Sequence, residues 1–138
     1  MSGRIDGEER EALRQLVRAE GFTRVGFTSA DPVADHTSPW VAAGRHAGME
    51  WIERDPSARA DPRAVLPEAR SVIAVTVAYP QGDGGLLAAY ARGEDYHRTV
   101  RAALDRAAEA LRRRNPEAAV RACVDTAPLL ERSLAARA

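Results

Sequence analysis

The chain has 138 residues, 45% apolar and 29% charged, and its 20 acidic side chains balance 20 basic ones. This is an ordinary globular composition, with enough chain to bury roughly two-thirds of the unfolded surface around one core. The zero net charge supplies no basic field for gripping nucleic acid unaided. A single cysteine, Cys123, excludes an internal disulfide and any cysteine-ligated cluster or zinc site built by this chain alone. Every basic residue is Arg, which reads as coding bias. No apolar run approaches the roughly 18 residues of a transmembrane helix, and the polar start with Arg4, Asp6, Glu8 and Glu9 lacks a signal-peptide core. A cytoplasmic protein with no membrane partner is the expectation.

Residues 8–20 are predicted helical, with Ala12, Leu13, Leu16 and Val17 at helical spacing and Gly21 as terminator. A short strand is predicted over residues 22–28, where Val25 and Phe27 alternate. There Gly26 either admits a close neighbour or simply lightens a crowded strand, the second being commoner. Between Asp31 and Pro67, four prolines punctuate an irregular stretch, with short helical pieces expected around 40–46 and 49–54. Residues 71–79 form the clearest strand, β-branched and almost wholly apolar, as expected at the buried centre of a sheet and closed by Pro80. Residues 81–85 read as a flexible loop that lacks the ending of a phosphate-binding P-loop.

The longest helix is predicted from Tyr96 to Arg114. Val100, Ala103, Leu104, Ala107, Ala108 and Leu111 make an apolar stripe suited to packing on a sheet. Arg112, Arg113 and Arg114 crowd its last turn, either as complements to the helix dipole or as a nucleic-acid contact. Asn115-Pro116 ends it, and residues 120–124 are predicted as a strand burying Cys123. A helix is expected to open just beyond, with Pro128 at its first position and Thr126 or Asp125 as its cap. Helices separated by strands predict an α+β fold, a mixed sheet covered by helices.

Asp125 stands where a strand delivers its carboxylate onto a helix start, a common position for a catalytic acid as well as for a simple cap. Arg59 and Arg132 each offer a planar fork for amides or phosphates, with a surface ion pair as the alternative. Tyr96 and His97 could line a pocket, or His97 could serve as a cap or packing residue. His36, His46 and His97 are not spaced as metal ligands, no metal site is expected, and no nucleophile elbow is present.

The order of short signatures is more specific than any one of them. Gly21-Phe22 with Val25-Gly26-Phe27, then Trp40, Gly48-Met49-Glu50-Trp51, Arg59 before Pro62, Leu66-Pro67, Ser71-Val72-Ile73 and Tyr79 follow one another. Tyr90-Ala91-Arg92-Gly93, Asp95-Tyr96-His97, Val124-Asp125-Thr126 and Glu131-Arg132 complete the series. In this order they resemble the amino-terminal part of the epoxyqueuosine reductases, cobalamin-dependent iron-sulfur enzymes that reduce epoxyqueuosine in tRNA to queuosine. The resemblance implies a cobalamin- and substrate-binding domain over residues 1–138, similar to nitroreductase-like corrinoid-processing folds. It implies Asp125 as the proton donor, its pKa raised by desolvation beside the corrin and the base. It further implies cobalamin contacts at Arg59, Tyr96, His97, Leu130 and Arg132.

In that family the chain continues into a ferredoxin-like module carrying two 4Fe-4S clusters, for which this sequence has no ligands. The expectation is an amino-terminal piece of an incomplete domain, inactive alone, with the iron-sulfur half supplied in cis or in trans. Leu129, Leu130 and Leu134 are expected to lack their covering segment. The competing expectation is a non-catalytic module binding cobalamin, a flavin or a partner protein.

Overall fold

The computed structural model describes residues 6–79, 91–125 and 127–138. The predicted loop 81–85, the closing Pro80, Tyr90 and Thr126 lie outside the described residues. The chain divides into two compact units, Met1–Val25 with Val75–Asp125, and Gly26–Ala74 with Thr126–Ala138.

In the first unit, α1 spans Gly7–Arg18, and the Asp6 carboxylate caps it by accepting the Glu9 amide at 2.8 Å. Gly21, with φ of 101°, supplies the left-handed turn that follows. The second helix of this unit, α4, runs from Tyr96 to Arg114 as the periodicity predicts, with Ala107 and Ala108 buried. It packs against α1. The helices run antiparallel: Arg114, ending α4, holds Glu9 in the first turn of α1 at 2.8 and 2.6 Å, while Arg106 meets Glu20 at 2.7 Å. Each of the charges Glu9 and Arg114 also complements its own helix dipole. Arg112 donates to the Val120 carbonyl at 2.6 Å, and Arg113 lies 3.6 Å from Glu109. All three terminal arginines thus have partners within the chain.

The two strands, β1 at Arg24–Ser29 and β2 at Ser71–Thr76, pair into a two-stranded sheet. The Thr23 amide donates to Thr76 and the Ala30 amide to Arg70, which makes the pairing antiparallel. β2 is shorter than its apolar run, and Val77 and Tyr79 are exposed. Among the described residues β2 has one neighbouring strand, and its residues 72–75 are half-buried rather than buried. Among the described residues, 120–124 carry no strand assignment, and 122–124 are half-buried.

In the second unit, α2 covers Thr37–Ala42 and α3 covers Glu50–Glu53, both shorter than the sequence patterns. Asp35 organises the first by accepting the amides of Thr37 and Ser38 at 3.0 and 2.9 Å. Two 3-10 turns follow at Ser57–Ala60 and Pro62–Ala64. The last helix, α5, is Glu131–Arg137. Pro128 precedes it by three residues instead of opening it, because Leu130, not Asp125 or Thr126, occupies its N-cap position. Leu134 is buried, so the expectation that it stands uncovered is corrected. Arg137 anchors the helix by donating to the Ser29 and Asp31 carbonyls at 2.7 Å and to Thr28 Oγ1 at 2.8 Å. Gly26 is a true close-approach position: a Cβ there would lie 2.9 Å from the Cβ of Ala138.

Candidate functional site

Asp125 is the last residue of the first unit and adopts a left-handed backbone, φ 53°, that Asp tolerates better than most side chains. It caps no helix. Its Oδ2 accepts the Tyr96 hydroxyl at 2.8 Å and sits 2.9 Å from Nε2 of His97. Both partners come from the first turn of α4, so a single helix start presents a phenol and an imidazole to one carboxylate.

That turn is fixed by Asp95, which sequence reasoning passed over as a site residue. Asp95 caps α4 by accepting the His97 amide at 3.1 Å, and the same oxygen lies 2.8 Å from His97 Nδ1. The spacing Asp-x-His at a helix start is the signal that could have revealed it. The Tyr96 and His97 rings lie 4.0 Å apart at a 30° tilt, which further restrains the imidazole. His97 is therefore no mere cap: each of its ring nitrogens faces a carboxylate.

The electrostatics follow from these contacts. Asp95, through its hydrogen bonds to the ring, and Asp125 raise the pKa of His97 above its ordinary value. The Asp125 carboxyl is held below its ordinary value, first by the Tyr96 hydroxyl and then by His97. Asp95 is lowered by the His97 ring and amide. The direction at Asp125 in this chain is downward, whereas a proton donor of the kind the resemblance implies is raised by desolvation. The cluster is open to solvent, with the Asp125 side chain 58% exposed.

The second unit carries a different constellation. Arg59 and Leu130 are brought together by a backbone bond, the Leu130 amide donating to the Arg59 carbonyl at 2.9 Å. With His36, Thr37, Trp40 and Ile52 they line an open cavity of about 270 Å³. The Arg59 guanidinium reaches the Trp51 carbonyl at 3.4 Å. Of the lining, Arg59 and Leu130 were singled out from the sequence as contacts, and Trp40 only as a signature residue. Arg132 is exposed on α5.

An α+β fold with a carboxylate, phenol and imidazole gathered at one helix start defines a class of domain suited to proton transfer. Residues 59–126 match the family model described as epoxyqueuosine reductase QueG, DUF1730. The chain is 36% identical over 132 residues to the epoxyqueuosine reductase of Staphylococcus aureus, covering 86% of this chain and 34% of that protein. It is 33% identical over 146 residues to that of a Synechococcus species, covering 98% and 45%. A solved structure of a selenomethionine-labelled epoxyqueuosine reductase superposes with a TM-score of 0.78 at 25% identity, over 93% of this chain and 37% of that one. Another, of epoxyqueuosine reductase with an epoxyqueuosine-modified tyrosine tRNA stem loop, gives 0.76 at 25% identity over 95% and 38%. The chain is thus similar to the epoxyqueuosine reductases over most of its length and matches their family model over residues 59–126. It spans less than half the length of these relatives.

Proposed function

We propose that this chain is the cobalamin- and substrate-binding part of a tRNA epoxyqueuosine reductase, with Asp125 delivering protons to the departing oxygen. The observation that carries the reading is the Asp125 carboxylate engaged by Tyr96 and His97, within the region that matches the family model. Reducing an epoxide to an alkene consumes two electrons and two protons and releases water. Cobalamin, when bound, supplies the electrons at carbon. The chain must then supply protons to an oxygen that develops negative charge.

The lining of the second unit's cavity fits part of such a cofactor. Trp40, Ile52 and Leu130 offer apolar surface, and the fork of Arg59 suits amide or phosphate oxygens. At about 270 Å³ the cavity takes an edge of a corrinoid and not the whole. Arg59 and Leu130 are the proposed contacts there; Tyr96, His97 and Arg132 carry the same assignment from the family resemblance. The nitroreductase-like description of the fold, the tRNA substrate and a cytoplasmic location belong to this reading. So do two 4Fe-4S clusters in an iron-sulfur part supplied in cis or in trans. Among the described residues no helix is long and apolar enough to cross a membrane.

The test joins this chain to the remaining part of the Staphylococcus aureus relative. Titration with hydroxocobalamin is expected to change its absorbance, and epoxyqueuosine-containing tRNA to be reduced. A joined protein that leaves the corrinoid spectrum unchanged and the epoxide intact would overturn the proposal.

A further inference from the structure

We infer that His97 is a fixed imidazolium that charges Asp125 with the proton it delivers, a positioning residue acting through that carboxylate. The inference rests on the proposed function for its catalytic part only. Its foundation is geometric. His97 Nδ1 lies 2.8 Å from Asp95 Oδ1, and Nε2 lies 2.9 Å from Asp125 Oδ2. A neutral imidazole donates from one nitrogen and presents a lone pair at the other. Either tautomer would aim that lone pair at an ionised carboxylate. Only the doubly protonated ring satisfies both contacts.

The groups around the ring support this charge. Asp95 faces it from the cap of α4, Asp125 from the end of the unit, and Tyr96 stacks beside it while donating to the same Asp125 oxygen. The cation nearest to Asp95 in effect is Arg98, one turn along α4. Two anions therefore border the imidazole directly. The ring is also restrained by the Asp95 cap, whose oxygen takes both the His97 amide and Nδ1, so its orientation is set by the helix start.

This arrangement resolves the difficulty of an acid held ionised. A proton can pass from Nε2 to Asp125 Oδ2, and from Asp125 to the oxygen leaving the substrate, as the carbon-oxygen bond takes up electrons from the reduced corrinoid. The N-H bond of His97 breaks, the O-H bond of the departing oxygen forms, and Asp125 returns to a carboxylate. Neutral His97 then recovers its proton from water, to which its side chain is 41% exposed. Placing a proton on Asp125 is uphill from His97, but a developing alkoxide is a far stronger base than either group.

Nitrogen-15 NMR of the histidine rings in this chain tests the charge directly. At pH 7.5 His97 is expected to carry protons on both nitrogens. In Asp95→Asn and in Asp125→Asn its midpoint is expected to fall. A His97 with one bare nitrogen at pH 7.5, or a midpoint indifferent to both substitutions, would overturn the inference. In the joined protein, His97→Gln is expected to lose about 100-fold of epoxide reduction at pH 7.5 and to recover part of it as pH falls. Asp95→Asn, which keeps the ring, is expected to shift the same pH profile to lower pH. Profiles matching the parent would remove the relay even if the ring proves charged. A parent that reduces no epoxide would instead defeat the proposed function, and with it the relay, while the NMR result still decides the charge.

Discussion

The two units build their sites by opposite means. In the first, Asp125, Tyr96, His97 and Asp95 are half-buried or exposed, and side-chain hydrogen bonds from one helix start hold them. In the second, the cavity beside Arg59 and Leu130 is shaped by backbone pairing and by Trp40 and Ile52. A polar cluster at a helix N-terminus costs little stability to alter, because its groups are already largely solvated. A cavity whose walls are packed side chains such as Trp40, Ile52 and Leu130 cannot be altered so freely. The chemistry proposed for this chain would thus sit where substitutions are cheap for the fold, and the shape where they are expensive.

The sharpest way to break that contrast is Asp125→Asn. Asn tolerates the left-handed backbone at this position and still accepts the Tyr96 hydroxyl. Epoxide reduction by the joined protein is expected to drop by about 100- to 10,000-fold, with the thermal midpoint little changed. Parent-like turnover would reduce Asp125 to a structural residue. Unfolding of the variant would show that the polar cluster is as costly to alter as the apolar one.

In the second unit the order of effects should reverse. Leu134→Ala removes a side chain only 3% exposed and is expected to destabilise that unit by about 2–5 kcal/mol. Chemical denaturation would measure it, and a loss below about 1 kcal/mol would mean that α5 is not seated as described. Gly26→Val forces a side chain into Ala138 and should cost about 1–3 kcal/mol through overpacking. A variant as stable as the parent would show that the end of α5 yields freely.

Titration gives a subtler comparison. His97 has a raised folded pKa, so its contribution to stability is complete below its ordinary value of about 6.5 and is lost as pH rises through the folded value. Asp125 is lowered, so its contribution is present above the ordinary carboxylate range and is lost as pH falls through the folded value. The His97→Gln variant should therefore track the parent's stability at high pH and fall below it near pH 6. Equal stability at both would deny the paired imidazolium.

The smallest effect is expected for Glu9→Gln, which releases Arg114 on the α1 and α4 pair. The hydrogen bond from Arg114, helped by its charge, lowers the pKa of Glu9 against the opposing pull of desolvation, yet the pair is solvent-exposed. Any loss of stability should fade at high salt, and one that persisted would mark the contact as structural rather than electrostatic.

Periodicity alone placed α4 from Tyr96 to Arg114, because a helix of that length declares itself locally through its stripe and its end. The glycine after α1 and the strand core at residues 71–76 were equally legible. Composition and the order of short signatures carried the family. Local pattern could not name the partner of a face: that α4 packs against α1 needed the fold. Pro128 has helix-opening chemistry, but the chain enters α5 only at Glu131. The sequence pointed to Asp125, Tyr96 and His97 as separate candidates and to Arg59 and Leu130 likewise. Only the tertiary structure decided that Asp95 and Asp125 grip one imidazole, that Leu130 pairs with Arg59, and that Tyr96 and His97 draw the pKa of Asp125 downward. The reason is physical: helix propensity and hydrophobic period act over a few residues, whereas a pKa depends on distances between groups that the sequence separates by 28 or 29 positions.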